Sequence, residues 1–232
     1  EIAETYKASL ESTNDLRTEI FNQKEQYFSN CYLKVVNYEK NKDMLQDVPY
    51  KKYMDLAVTI RMLVRVDETG MASAIVTHDH TARLGINEKD LYAAALKNTE
   101  FLFPVRIDKL EDVIRNLDSF GLAQEELPDT GIYVLSNLPR IAGATSILYA
   151  QDQITELAEE HGCGFYIVPS STREVLLCPD NDEMDPEMLQ RTAMEVNEYV
   201  VSDTEFLSNS IYHFDKDRQE IKMELPDPQI DD

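Results

Sequence analysis

The sequence has few of the residues that mark the best-known chemical sites. Its three cysteines are odd in number and too few for the disulfide framework of a secreted domain. Its seven glycines form neither a phosphate-binding loop nor a dinucleotide fingerprint. No apolar run approaches the ~20 residues that a bilayer span needs, and no export signal follows Glu1. We therefore expect a soluble cytoplasmic protein with no membrane segment and no nucleotide cofactor.

Basic residues are scarce in the second half of the chain. Residues 1–115 include 19 acidic and 16 basic side chains, whereas residues 116–232 include 25 acidic and 6 basic ones, which places −19 of the net charge of −22 in the second half. Proteins that bind nucleic acid need a basic surface, so nucleic acid is not an expected partner. The acidic half has three interpretations: a surface that keeps the protein dispersed, attraction to a basic protein partner, or mimicry of nucleic-acid charge.

Hydrophobic periodicity predicts an α+β fold whose mostly antiparallel sheets are covered by helices. The apolar content of 43% is sufficient for a core. Helices are predicted at 2–28, at 41–46, from Asn87 to Pro104, at 110–117, up to His161 and from Asp185, and strands at 31–38, 58–66, 71–77, 132–135, 165–168, 174–178, 210–214 and 221–225. The helix that begins at Asp185 is expected to bury an apolar stripe formed by Leu189, Ala193, Val196 and Val200.

The stretch 118–131, which is rich in glycine, proline and acidic residues, predicts a boundary between two closely packed lobes. We expect a helical and β-hairpin lobe at 1–117, an acidic α+β lobe at 131–225 and a mobile tail at 226–232.

Three stretches of the chain share the order and spacing of one known family. They are Val35-Val36-Asn37-Tyr38 with Val48-Pro49-Tyr50 and Asp55-Leu56-Ala57-Val58, Ile132 to Asn137 with Gly143-Ala144, and Val168-Pro169-Ser170-Ser171 with Glu174-Val175. In these stretches the sequence resembles an uncharacterised bacterial family, domain of unknown function 5688. The resemblance extends from about Cys31 to Met223, and Thr172-Arg173 departs from it. It implies a shared fold, and it implies no activity.

Two arginines suggest a candidate ligand site in the acidic half. Arg140 and Arg173 are the only cations between positions 116 and 190, and each lies in a predicted loop beside small polar residues. If the two loops converge, their guanidinium groups would bind an anion. The alternative is that each arginine pairs with a nearby carboxylate such as Glu174. The candidate ligand-binding residues are Arg140, Arg173, Ser170 and Ser171.

The histidines permit an enzymatic alternative. His78 and His80 could share a metal ion with His161 and Cys163, since these ligand types suit zinc. Near a helix C-terminus His161 could equally interact with the helix dipole. Ser171 could act as a nucleophile if a base such as His161 lay within hydrogen-bond reach, but the sequence around it is not a G-x-S-x-G elbow. We assign no residue as catalytic or as a metal ligand.

The strands at 165–168 and 173–178 predict a hairpin in which two cysteines meet. If a four-residue turn joins these strands, Cys163 lies directly opposite Cys178. The pair would then be either two reduced apolar thiols or a redox-sensitive staple.

We interpret the protein as a non-enzymatic binding or interaction module with a basic protein partner. The alternative is a hydrolase or metal-assisted enzyme that uses some of His78, His80, His161, Cys163 and Ser171.

Overall fold

The computed structural model describes residues 23–67, 70–117, 128–138, 141–169 and 171–229. The helices are α1 (Lys24–Asn30), α2 (Lys42–Leu45), α3 (His78–Arg83), α4 (Glu88–Leu102), α5 (Leu110–Leu117), α6 (Gln151–His161) and α7 (Pro186–Tyr199). The strands are β1 (Cys31–Asn37), β2 (Tyr50–Tyr53), β3 (Leu56–Asp67), β4 (Gly70–Ile75), β5 (Val105–Lys109), β6 (Tyr133–Asn137), β7 (Phe165–Val168), β8 (Val175–Pro179), β9 (Ile211–Asp215) and β10 (Glu220–Leu225). Short 3-10 turns occupy Glu39–Asn41 and Gly143–Leu148.

The strands form two sheets. One has the order β1-β3-β2 with β4 paired to β3, and the other has the order β10-β9-β7-β8-β6-β5. Every neighbouring pair in the six-stranded sheet is antiparallel, as is the β3-β4 pair. The prediction of an α+β fold with mostly antiparallel sheets is therefore confirmed. Among the described residues, no helix combines the length and apolar character that crossing a membrane requires.

The first compact unit contains Asn41–Lys51 and Val58–Leu102 together with the described residues up to Lys34. Helix α4 begins as predicted, because the side-chain oxygen of Asn87 accepts hydrogen bonds from the amides of Lys89 and Asp90 at 2.9 and 3.2 Å. Its buried residues are Leu91, Ala95 and Thr99. Residues 2–22 of the predicted N-terminal helix lie outside the described part of the chain.

The second compact unit contains Val35–Lys40, Lys52–Ala57 and the described residues from Phe103 onward. Its core includes five fully buried side chains of the six-stranded sheet, namely Phe165, Ile167, Leu177, Tyr212 and Phe214. Residues 103–117 belong to this unit by their contacts, although we expected them in the first lobe. The predicted division into lobes at 118–131 stays a prediction. Near the C-terminus, the carbonyl of Pro226 accepts a hydrogen bond from Gln190 at 2.9 Å.

Strand β5 corrects the prediction that one helix follows another directly after Pro104. It pairs with β6 in continuous register, from Val105 opposite Asn137 to Lys109 opposite Tyr133. The five-residue strand ends the sheet order and buries neither face fully. Because three of its five residues are charged, β5 lacks the clear apolar alternation from which a strand is predicted.

The prediction that Cys163 lies opposite Cys178 is wrong. Tyr166, three residues after Cys163, is the residue opposite Cys178. The predicted four-residue turn does not form, because the segment after β7 pairs with residues 205–206. Ser171 forms a β-bridge with Phe206, and the amide of Thr172 donates to the carbonyl of Glu205 at 2.8 Å. All three cysteines of the chain are free thiols.

Helix α7 begins where predicted, but only part of the predicted stripe is buried: Leu189 packs against the core and Ala193 is buried, whereas Val196 and Val200 are exposed. Asp185 caps it by accepting a hydrogen bond from the amide of Glu187 at 3.0 Å. Ala193 and Asn197 are 8% and 7% exposed, whereas Val196 and Val200 are 43% and 77% exposed. Residues 193 and 197 are one helical turn apart, so the buried face of α7 is shifted from the predicted stripe towards Asn197.

Candidate functional site

The predicted anion site is only partly described. Arg140 and Ser170 lie outside the described residues. The guanidinium of Arg173 contacts Glu205, with Nε 2.6 Å from the carboxylate oxygen Oε1, rather than Glu174. The Ser171 hydroxyl accepts the amide of Arg173 at 3.2 Å, as turn serines commonly do. Binding of an anion by this set therefore stays a prediction.

Each of the four histidine rings lies within hydrogen-bond distance of a different residue. His78 lies 2.7 Å from a carboxylate oxygen of Glu88, and His80 accepts the amide of Thr77 at 3.3 Å in a capping box. His161 lies 2.7 Å from the hydroxyl of Tyr133, and His213 lies 2.8 Å from the carboxylate of Asp180. In the part of the chain that the structure describes, no group of three metal-binding side chains is placed to hold a metal ion.

A groove of about 980 Å³ lies along the last turns of α7 in the second unit. Its other walls come from residues 37–40, from the segment after α7 and from the chain just beyond β10. We refer to it as the α7 groove. It is lined by the carboxylates of Glu39, Glu195, Glu198, Asp203 and Asp227 and by two cations, Lys40 and Arg191.

The wall of the α7 groove includes buried polar side chains. Asn37, Asn197, Asn209 and Asp227 are each at most 7% exposed. Asn197 donates through Nδ2 to the carbonyl of Ser208 at 3.2 Å and to Oδ1 of Asn209 at 2.9 Å. Its own buried Oδ1 accepts no hydrogen bond from any described residue. Because buried polar atoms are rarely left unpaired, this oxygen marks a polar position in the groove wall that the described residues do not satisfy.

Both cations of the α7 groove already have carboxylate partners. The ammonium of Lys40 lies 3.2 Å from Asp203 and 4.2 Å from the centre of the Phe206 ring. Arg191 lies 3.4 Å from Glu187, one helical turn away. In contrast, Glu195 and Glu198 have no ion-pair partner among the described residues. The groove therefore presents unneutralised negative charge.

Exposed apolar side chains adjoin the acidic residues of α7. Eight large apolar residues are exposed in the described parts of the chain, and four of them belong to α7 or to its C-cap: Met188, Val196, Tyr199 and Val200. The last three are spaced three and four residues apart and so share one face of the helix. None of these apolar residues lines the α7 groove, and Tyr199, one helical turn from Glu195, connects the apolar face to the groove edge.

The exposed face of α7 was not predicted from the sequence because its apolar residues continue a pattern that is typical of a core. Val196 and Val200 extend a regular apolar stripe with Leu189 and Ala193, which predicts burial. The available signal was Asn197, since asparagine in a helix interior usually needs a specific partner.

A family model described as a family of unknown function, DUF5688, matches residues 1–216 of the chain. No curated protein and no solved structure matches the chain. The function therefore has to be argued from the groove itself.

Proposed function

The chain belongs to DUF5688, a family of unknown function, and we propose that it is a protein-interaction module whose α7 groove binds a basic segment of a partner protein. The observation that carries the proposal is the pair of groove carboxylates, Glu195 and Glu198, that have no ion-pair partner among the described residues. A lysine or arginine side chain would supply the positive charge and the hydrogen-bond donors that these carboxylates accept.

Electrostatics favours a basic partner over an acidic one. Most of the net charge of −22 falls in the half of the chain that contains α7, and like charge would repel an acidic ligand at long range. The same repulsion argues against a phosphate backbone, so nucleic acid is not part of the proposal. The module would work in the cytoplasm, as the odd number of cysteines predicts.

The apolar patch favours a protein segment over a free cation or small amine. Val196, Tyr199 and Val200 expose side chains that a small polar ligand would leave in water. A segment that passes Tyr199, one helical turn from Glu195, can cover this apolar face and place its basic residues in the α7 groove. Contact with both surfaces would combine hydrophobic affinity with charge-based selectivity.

The proposal is tested with defined peptides rather than an unidentified extract protein. A fluorescent amphipathic peptide rich in lysine and leucine is titrated with the full chain, beside a matched peptide in which glutamate replaces every lysine. We expect saturable binding of the basic peptide only. Raising the salt concentration should weaken that binding, because solvent-exposed charges are screened.

Paired substitutions locate the binding site. The double variant E195Q/E198Q removes the two unpaired carboxylates and should weaken peptide binding about tenfold. The control is E156Q/E159Q on α6, which changes the same charge at the same spacing on exposed residues outside the groove. Equal loss of affinity in both variants would show that the peptide responds to the net charge of the protein and not to the α7 groove. No loss of affinity in E195Q/E198Q would overturn the proposal.

A further inference from the structure

A separate cavity of about 300 Å³ lies within the first unit. Residues 48–51 form one side, and the first turn of α4 forms another. Buried Val48 and Ile60 contribute apolar surface, whereas Lys51, His78 and Lys89 contribute nitrogen donors. The volume lies at the lower end of the ~300–1,000 Å³ that small-molecule pockets span, so a ligand would be small. We call it the His78 cavity.

The imidazole of His78 is oriented by a carboxylate. Its Nδ1 lies 2.7 Å from Oε1 of Glu88, and the hydroxyl of Thr81 donates to the same oxygen at 2.9 Å. The backbone is fixed as well, because the amide of His78 donates to the carbonyl of Asp47 at 2.9 Å. Because Nδ1–H donates to the Glu88 carboxylate, Nε2, which has no partner among the described residues, can donate to a ligand only when the ring carries a proton on both nitrogens.

The two lysines make the His78 cavity locally cationic. The ammonium of Lys51 lies 3.6 Å from the centre of the Tyr92 ring, a cation–π contact that holds it at the cavity wall. Neither Lys51 nor Lys89 has a carboxylate partner in the described parts of the chain. Glu88 is the one carboxylate of the lining, and its Oε1 already accepts from His78 and Thr81. The lining thus contains two ammonium groups and a single carboxylate, and that carboxylate already accepts two hydrogen bonds.

The cationic character does not come from the end of a helix. Asn87 already accepts hydrogen bonds from the amides of Lys89 and Asp90 at the start of α4. The donors that remain are side chains from three separate segments, which is the arrangement of a pocket with convergent polar groups.

We infer that the His78 cavity binds a small organic anion, a phosphate monoester or a carboxylate, through Lys51, Lys89 and Nε2 of His78. Ammonium and imidazole groups supply charge-assisted hydrogen bonds to such an anion. Val48, Ile60 and the Tyr92 ring would contact its apolar part. The inference concerns the first unit and does not depend on the α7 groove.

The test uses phenyl phosphate, benzoate and the neutral analogue benzyl alcohol as probes of the full chain. Binding is followed through the side-chain resonances of the four histidines by NMR. We expect saturable shifts of the His78 ring with at least one anion and none with benzyl alcohol. The phosphate and carboxylate arms decide which anion is preferred. His213, paired with Asp180 in the second unit, should not shift.

Two lysine variants make the test specific. K51M should weaken anion binding about five- to tenfold, because it removes one charge-assisted hydrogen bond. K52M is the matched control: Lys52 is the next residue, and its ammonium lies over the Tyr38 ring at 4.4 Å outside the cavity. The inference is overturned if neither anion shifts His78 saturably, or if K52M weakens binding as much as K51M. The histidine shifts need no variant and decide the question if K51M does not fold.

Discussion

The hydroxyl of Tyr212 donates a hydrogen bond of 2.5 Å to Oδ1 of Asp55, although the two residues are 157 positions apart in the chain. The other carboxylate oxygen of Asp55 accepts from the hydroxyls of Ser208 and Ser210, the latter at 2.9 Å. The carbonyl of Asp55 accepts the amide of Tyr38 at 3.1 Å. Asp55 thus joins the segment that contains Tyr38 to residues 208–212 of the second unit, and three hydroxyl groups of residues 208–212 donate to its carboxylate.

Replacing Asp55 by asparagine should destabilise the protein. D55N keeps the shape of the side chain but removes the charge that three hydroxyl donors share, at an expected cost of about 2–3 kcal/mol. Urea denaturation followed by circular dichroism measures the change. The control D203N removes an exposed carboxylate that pairs with Lys40 and should leave the midpoint unchanged. An unaltered midpoint for D55N would show that the hydroxyl network does not stabilise the fold.

Stability should fall in alkaline solution. Burial raises the pKa of Tyr53 and of Tyr166 to about 12, and burial together with the Asp55 charge raises the pKa of Tyr212 well above its ordinary value. An unfolded chain loses these phenolic protons from about pH 10, while the folded protein retains them. The tyrosine contribution is therefore complete below pH 10 and is lost as the pH rises toward 12.

The alkaline effect is measured by urea denaturation at pH 8, 10 and 11. Y53F removes one ionising group and should reduce the pH dependence by up to one proton, ~1.4 kcal/mol per pH unit. Y199F removes an exposed hydroxyl and serves as the control. A pH dependence that is identical in Y53F and the unmodified protein would contradict the assignment.

A methyl group at Gly143 should be far more damaging than one at Gly85. A Cβ at Gly143 would lie 2.0 Å from the carbonyl oxygen of Arg173 and 2.3 Å from the hydroxyl of Ser136. Because a backbone atom cannot move aside easily, G143A should cost about 3 kcal/mol or more. At Gly85 a Cβ meets nothing within 4 Å, and only the positive φ of +58° disfavours alanine, at about 1–2 kcal/mol. Thermal unfolding of both variants tests this order, which a smaller loss in G143A than in G85A would reverse.

The sequence predicted those elements whose causes are local. Asp185 and Pro186 start α7 because the cap and the missing amide act within one turn. Gly162 ends α6 with a φ of +74°, a conformation that glycine adopts without strain. The hairpin of β3 and β4 follows from a period-two pattern. In each case the neighbouring residues are sufficient to specify the structure.

Features that depend on distant residues were not predicted. Position 205, rather than the adjacent Glu174, supplies the carboxylate for Arg173, because the segment after α7 returns to the loop after β7. The same return sets the register that separates Cys163 from Cys178. The exposed valines of α7 belong to this class too, since periodicity finds two adjacent stripes and only the tertiary contacts of Asn197 select one.

The three thiols should differ strongly in reactivity. Cys31 and Cys178 are buried, and desolvation raises the pKa of each to about 12, so their reactive thiolates are scarce. Cys163 is partly exposed, and desolvation raises its pKa while a hydrogen bond from the backbone of Asp180 lowers it. With Ellman's reagent at pH 8, we expect one thiol per chain to react promptly and the other two to react only in urea.

The variant C163S identifies the prompt thiol, because it should abolish the fast phase and leave the two slow thiols unchanged. Mild oxidation should also produce no bond between Cys163 and Cys178, since Cys178 faces Tyr166 across the sheet and lies on a buried strand. Mass spectrometry of the oxidised, trypsin-digested protein detects such a bond directly. A second prompt thiol would show that Cys31 or Cys178 is more accessible than its burial implies, and a Cys163–Cys178 disulfide formed without unfolding would show that β8 opens readily.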